Sequence, residues 1–353
     1  MKIAITSLYL PTGSKIGVGY QVHYLANALT RRGHRVTVFS QTGAPDDALY
    51  QVEVVPSGKR FRTFGFAWGL RRYDFTEFDV LNAHGDDWFL WGKPRPRHVH
   101  TYHGSCLAEA FHAKTWKDRL RMGMLAALET SAGWLCDVRV AVSSNTRKYI
   151  PRIQEVVPCG LDLTRFKPGA AKTEKPTILF VGTMHGRKRG QLLLEAFRQH
   201  IRPAIPEAEL ILVAENKVPP EDGVRCLGRI PLDELTRWFS ESWVFCLPSS
   251  YEGFGVPYIE AMASGTPVVA TPNRGAREVL EDGESGCLVK DDQLGPQLLE
   301  LLRDEEKRDE LRQKGLERAA CFGWDRICEA YEALYRPPRS SAPTNGSSLS
   351  VNH

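Results

Sequence analysis

The sequence has no cysteine pair at the C-x-x-C spacing: its eight cysteines (Cys106, Cys136, Cys159, Cys226, Cys246, Cys287, Cys321 and Cys328) are scattered along 353 residues. That scatter excludes a zinc ribbon or a dithiol redox motif and reads as reduced, packed thiols. Also missing is any apolar run of roughly 18 to 20 residues, the length a membrane-spanning helix requires. Met1–Ser7 enters a strand-like pattern instead of a signal-peptide core, so a cytosolic protein is expected. A strong charge of one sign is absent too. The 46 basic residues nearly balance 42 acidic ones, and the net charge of +4 is too weak to call for nucleic acid, though it suits a small anionic ligand. What remains, 42% hydrophobic and 25% charged, is ordinary globular composition with length for one large domain or two medium ones.

Hydrophobic spacing divides the chain into two series. Lys2–Leu8 reads as a buried strand, and Pro11–Gly19 as a loop containing glycines. In Tyr20–Arg32, Val22, Leu25, Ala26 and Leu29 recur at helical spacing until Gly33 ends the helix, and Val36–Ser40 is the next strand. Further strands are predicted at Val52–Pro56, Val80–Ala83, His98–Tyr102 and Arg139–Ser143, with a helix over Lys117–Thr130. Pro168–Pro176 reads as a linker. After it come a strand at Thr177–Gly182, a helix at Leu192–His200, a strand at Glu209–Ala214, a helix at Leu232–Glu241, a strand at Val244–Pro248, a helix at Tyr258–Ala263 and a strand at Thr266–Thr271. This alternation predicts an α/β chain of two doubly wound parallel-sheet units, residues 1–170 and 171–337. Residues 338–353 have little apolar content and read as a disordered tail.

In open parallel sheets ligands sit at the carboxyl ends of strands, so the loops that follow strands carry the chemistry. After Thr177–Gly182 comes Thr183-Met184-His185-Gly186-Arg187-Lys188-Arg189-Gly190, three adjacent cations before a helix. Such a loop suits a phosphate or diphosphate, although a solvated basic turn explains it equally when taken alone. It lacks the Gly-Lys followed by Ser or Thr of a nucleotide-hydrolysing loop. After Val244–Pro248 comes Ser249-Ser250-Tyr251-Glu252-Gly253-Phe254-Gly255-Val256-Pro257, where Gly253 and Gly255 can turn bare backbone N–H groups toward an anion. Glu252 in the loop and Glu260 in the helix put two acceptors at different depths of one cleft, as a polyhydroxylated ligand such as a sugar nucleotide requires. Either acid alone reads as a surface carboxylate or a helix-dipole partner.

Glu252–Gly265, with the trailing Thr266-Pro267-Val268-Val269-Ala270, closely resembles the E-x7-E signature of family 4 of the retaining glycosyltransferases. Gly17-Val18-Gly19, Thr101-Tyr102-His103-Gly104, Val157-Pro158-Cys159-Gly160-Leu161-Asp162 and the Lys188 loop agree with it in order. The resemblance implies the GT-B fold, two Rossmann-like domains facing across a cleft, with the final helix Trp324–Tyr335 packing back on the first. It implies a hexosyltransferase that uses a nucleoside-diphosphate sugar as co-substrate, UDP- or GDP-linked, with no cofactor. It also implies the site: Lys188 on the donor diphosphate with the N–H groups of Gly253, Phe254 and Gly255, Glu252 at the donor sugar and Glu260 at the ribose. His103 would lie across the cleft, and Gly17 and Gly19 would approach from the first domain. Members commonly carry Arg directly after the glycine that ends this strand, where this chain has Thr183; Arg187 or Arg189 would supply that cation. No two aspartates stand two positions apart, so the D-x-D pair of metal-using transferases is absent and metal-independent transfer is expected. The implied acceptor is a small molecule, a polysaccharide or a lipid-linked acceptor. The alternatives are an epimerase of the same fold and a non-catalytic nucleotide-sugar binder.

Three further signals carry less. His98, His100 and His103 resemble a metal cluster, but on a strand His98 and His100 share one face and His103 falls beyond it. Gly17-x-Gly19 is followed by Val22 where a dinucleotide fingerprint needs Gly or Ala. Lys59–Trp68 with Arg71-Arg72-Tyr73, and Lys114–Arg121, mix cations with aromatics and suggest peripheral contact with the inner face of a membrane, or simply solvated loops.

Overall fold

The structure, a computed structural model, describes residues 1–11, 17–58, 62–112, 115–215 and 218–337. The tail 338–353, residues 12–16 of the glycine loop, residues 59–61 of the first basic aromatic stretch and Lys114 of the second lie outside the described residues.

Seven parallel strands form the first sheet: β1 (Lys2–Thr6), β2 (Arg35–Ser40), β3 (Gln51–Val54), β4 (Val80–Ala83), β5 (Arg97–Tyr102), β6 (Val138–Ala141) and β7 (Glu155–Val156). Their spatial order is β3-β2-β1-β4-β5-β6-β7. The helices among them are α1 (Val18–Arg31), α2 (Arg62–Gly69), α3 (Cys106–His112) and α4 (Trp116–Ala132). Six parallel strands form the second sheet: β8 (Thr177–Val181), β9 (Glu209–Val213), β10 (Val224–Cys226), β11 (Val244–Leu247), β12 (Val268–Ala270) and β13 (Cys287–Leu288), in the order β10-β9-β8-β11-β12-β13. Around it lie α5 (Gly190–Ala196), α6 (Leu232–Glu241), α7 (Val256–Ala263), α8 (Arg274–Val279), α9 (Leu294–Arg303) and α10 (Glu305–Ala320). Helix α11 (Trp324–Tyr335) ends the described chain.

Strands covered on both faces read as unbroken apolar runs, and here they do. Ile3, Ala4 and Ile5 in β1 and Ile178, Leu179 and Phe180 in β8 are fully buried. In register, Ile3 meets Val36 on one side and Val80 on the other, and Leu179 meets Ile211 and Phe245. The predicted ends of β2, β4 and β5 hold, and the other predicted strands overrun by one or two residues into the loops that follow them. The helix expected over Leu192–His200 ends at Ala196 and continues as a wider π turn, Phe197–Ile201. Helices α8, α9 and α10 were beyond the spacing argument. In α10 only Leu311, Gly315 and Ala319 are buried, one every fourth residue, and two of the three are small.

Helix α11 departs from the second domain and packs on the first. Ile327, Cys328, Tyr331 and Tyr335 share a core with Ile3, Ile5, Val22 and Leu29. The amide of Asn82 donates to the Tyr335 hydroxyl at 2.8 Å, Arg97 donates to the Leu334 carbonyl, and Arg32 grips Glu332 through two hydrogen bonds.

Both sheets reverse direction at one point, between β1 and β4 in the first and between β8 and β11 in the second. Crevices outside these strand ends are where a doubly wound sheet binds its ligand.

Candidate active site

The loops that leave β8 and β11, the two strands flanking the second reversal point, carry the expected donor-side residues and are tied to each other. The Arg187 carbonyl accepts a hydrogen bond from the Ser250 N–H at 2.8 Å. Lys188 Nζ lies 2.7 Å from Glu252 Oε1, and Arg187 Nη1 lies 2.9 Å from Glu252 Oε2 while also donating to the Tyr251 carbonyl. The structure thus brings Arg187, Lys188 and Glu252 together as one ionic cluster. Arg189 is turned elsewhere: it forks onto Asp291 and donates to the Pro248 carbonyl and the Thr271 hydroxyl. Its backbone is left-handed, at φ 53°, where it turns the chain into α5. The Thr183 hydroxyl bonds back to the His185 carbonyl in its own loop. Of the two arginines, Arg187 faces the cluster.

Gly253, Phe254 and Gly255 lead into α7. Gly255 sits at φ 110°, and a Cβ there would come 2.5 Å from the Tyr258 ring, so only glycine makes this turn comfortably. Pro257 stands in the first turn, and among the described residues no side chain caps α7. Its N-terminal N–H groups can therefore receive an anion beside Lys188. Glu260, one turn into α7, is half-buried.

Burial and charge set the proton affinities. Burial would raise the Glu252 carboxyl, but the ammonium of Lys188 and the guanidinium of Arg187 outweigh it and hold the group below the usual carboxylate range. Burial lowers Lys188, partly offset by Glu252. Burial pushes Glu260 up to about 7, with only Lys188 opposing. Two carboxylates eight positions apart therefore differ in kind: Glu252 is a fixed anion, and Glu260 titrates near neutrality.

The first domain meets this cluster through the loop after β5. A Cβ on Gly253 would lie 3.1 Å from the His103 carbonyl oxygen, so the two loops touch across the domain boundary. His103 Nε2 is 2.7 Å from His84 Nδ1, and burial lowers both rings, His103 to about 4, which favours two neutral imidazoles with an N–H of one donating to the bare nitrogen of the other. His84 follows β4 at the first reversal point, a position from which the sequence spacing could have nominated it. Gly17 and Gly19 open α1; a Cβ on Gly19 would lie 2.6 Å from the Tyr9 carbonyl. From α1, the Tyr24 hydroxyl accepts from Arg165; burial raises it and the Arg165 guanidinium partly opposes the rise. His98 and His100 both lie 2.9 Å from Oδ2 of the buried Asp87, which explains this pair as an internal charge network. Across the same boundary Ser144 donates to Glu278, and Arg274 donates to Asn145 and Tyr149. Two cavities, of about 740 and 150 Å³, open on the first domain, and neither is lined by Lys188, Glu252 or Glu260. Charge and backbone geometry mark the site.

Residues 16–165 match the family described as Glycosyltransferase Family 4, and residues 175–304 match Glycosyl transferases group 1. The chain belongs to glycosyltransferase family 4. It is 26% identical to a D-inositol 3-phosphate glycosyltransferase of Segniliparus rotundus, over 95% of this chain and 89% of the relative. It is 31% identical to the O-antigen chain mannosyltransferase B of Escherichia coli over 163 residues, 42% of each protein. Sucrose-phosphate synthase from Thermosynechococcus elongatus superposes with a TM-score of 0.78 at 24% identity, over 95% of this chain and 98% of that one. This family 4 glycosyltransferase accordingly has the GT-B fold, two Rossmann-like domains. The two family matches divide between residues 165 and 175, ahead of β8.

Proposed function

We propose that this glycosyltransferase moves a hexose-type sugar from a nucleoside diphosphate, UDP or GDP, to an acceptor hydroxyl, with retention and without a metal ion. The observation that carries the reading is the cluster of Lys188, Arg187 and Glu252 at the reversal point of the second sheet, beside the uncapped end of α7 and against the His103 loop. An arriving diphosphate takes Lys188, Arg187 and the N–H groups of Gly253, Phe254 and Gly255 as its partners, freeing the Glu252 oxygens for hydroxyls of the donor sugar. Glu260 accepts from the ribose, and His103 meets the sugar from the first domain. The acceptor oxygen bonds to the anomeric carbon on the face from which the diphosphate departs. The carbon–oxygen bond to phosphate breaks, and the acceptor's proton passes to the leaving phosphate. Cations and helix-terminus N–H groups neutralise the charge that develops there, the role a metal ion plays in D-x-D transferases. The relatives named above act on an inositol phosphate and an O-antigen chain, which supports a small-molecule, polysaccharide or lipid-linked acceptor.

Nucleoside diphosphate release from UDP-, GDP-, ADP- and dTDP-sugars, with and without candidate acceptors, tests the reading. Release from one donor should depend on acceptor and survive EDTA. Consumption of donor at equal rate without acceptor would contradict transfer, and loss in EDTA restored by magnesium would contradict the metal-free scheme.

A further inference from the structure

Helix α4 carries two apolar stripes. One is answered within the fold: Leu125, Leu128 and Ala132 pack with Phe64, Ala67 and Trp88. On the other, Trp116, Leu120 and Met124, spaced four apart, are 70%, 68% and 49% exposed, and Phe111 at the end of α3 is 69% exposed. At 100° per residue these α4 side chains form one stripe along the first turns, with Lys117 and Arg121 on one flank and Arg119 on the other. The Lys117 ammonium lies 6.0 Å from the centre of the Trp116 ring. The stretch's one carboxylate, Asp118, is bound to Thr115 in the cap of the helix and points to neither flank.

We propose that this face of α4 docks on an anionic lipid bilayer, with the helix lying in the plane of the interface. Trp116, Leu120 and Met124 enter the acyl boundary, and Lys117 and Arg121 reach the headgroup phosphates beside it. Charge decides among occupants. A second copy of the chain carries the same cations, whereas an anionic bilayer presents opposite charge to Lys117 and Arg121. The proposal stands apart from the chemistry in the cleft, so neither depends on the other.

The full chain is sedimented with extruded vesicles of phosphatidylcholine alone, or with one third phosphatidylglycerol. It should pellet with the anionic vesicles, at least about tenfold less with the neutral ones, and be released by added salt. Lys117→Gln with Arg121→Gln should weaken partitioning roughly thirty-fold. Leu120→Gln with Met124→Gln should weaken it at least roughly tenfold. All four side chains are exposed, so melting temperatures should match the parent, and vesicle binding is compared only between folded proteins. Parent protein that stays in the supernatant with anionic vesicles, or variants that pellet as the parent does, would overturn the proposal. So would a dimer in sedimentation velocity that Leu120→Gln with Met124→Gln dissolves while no vesicle binding is seen.

Discussion

Glu252 and Glu260 show how position alone gives two identical side chains different chemistry. Glu252 is clasped by two cations, so Glu252→Gln releases Lys188 and Arg187 from an ion pair and leaves them free for phosphate. Turnover should fall at least about tenfold while affinity for the free nucleoside diphosphate stays level or improves. Parallel kinetic and calorimetric measurements check this, and equal losses in both would refute a sugar-facing Glu252. Glu260 binds its proton near pH 7 in the fold, against a usual value of 4.5. Between those values the folded chain holds a proton that the unfolded chain has lost, so stability falls as the pH rises through that window. Glu260→Gln removes this cost. Its melting temperature should exceed the parent's at about pH 8 and converge with it near pH 4, and thermal melts across pH read the difference directly; a constant offset would contradict the assignment.

At the level of elements, the glycine before α7 and the arginine before α5 set the site. Gly255→Ala forces a Cβ against the Tyr258 ring from a left-handed backbone, at an expected cost of roughly 1 to 3 kcal/mol in urea unfolding. An unchanged midpoint would show that the turn relaxes freely. Of the strands flanking the reversal points, β8 and β11 were legible as unbroken apolar runs stopped by Gly182 and Pro248, whereas β1 and β4 run on into Ser7 and His84 and were read from their apolar residues alone. The donor loops were legible because Arg187-Lys188-Arg189 and Glu252-Gly253-Phe254-Gly255 follow such strands directly. Which arginine faces the cluster was not, since both lie next to Lys188 and the partners that draw Arg189 away, Pro248, Thr271 and Asp291, lie about 60 to 100 residues later. Nor was α10, whose buried seam of Leu311, Gly315 and Ala319 carries too little apolar signal to stand out from its charged remainder. His84 could have been nominated from its place directly after β4, but its pairing with His103 could not, since His103 follows a different strand.

Across the whole molecule, the last helix of the described chain belongs to the first domain's core, so that core is completed by residues more than three hundred positions from its start. Tyr335→Phe leaves the buried Asn82 amide without the hydroxyl it donates to and should cost about 1 to 3 kcal/mol. A melting temperature equal to the parent's would mean that the contact contributes nothing. The two domains approach each other where the His103 loop touches Gly253, so the cluster of opposite charge lies at the boundary where domain movement would open or close it. The central claim is that Lys188 is the cation that holds a diphosphate there. Calorimetric titration of UDP and GDP into the parent and Lys188→Ala, in buffer containing EDTA, tests it most directly. Loss of a charge-assisted phosphate contact of about 1.5 to 3 kcal/mol should weaken binding of the preferred nucleotide roughly ten- to a hundred-fold. Equal affinity in the two proteins would place the diphosphate elsewhere and contradict the account.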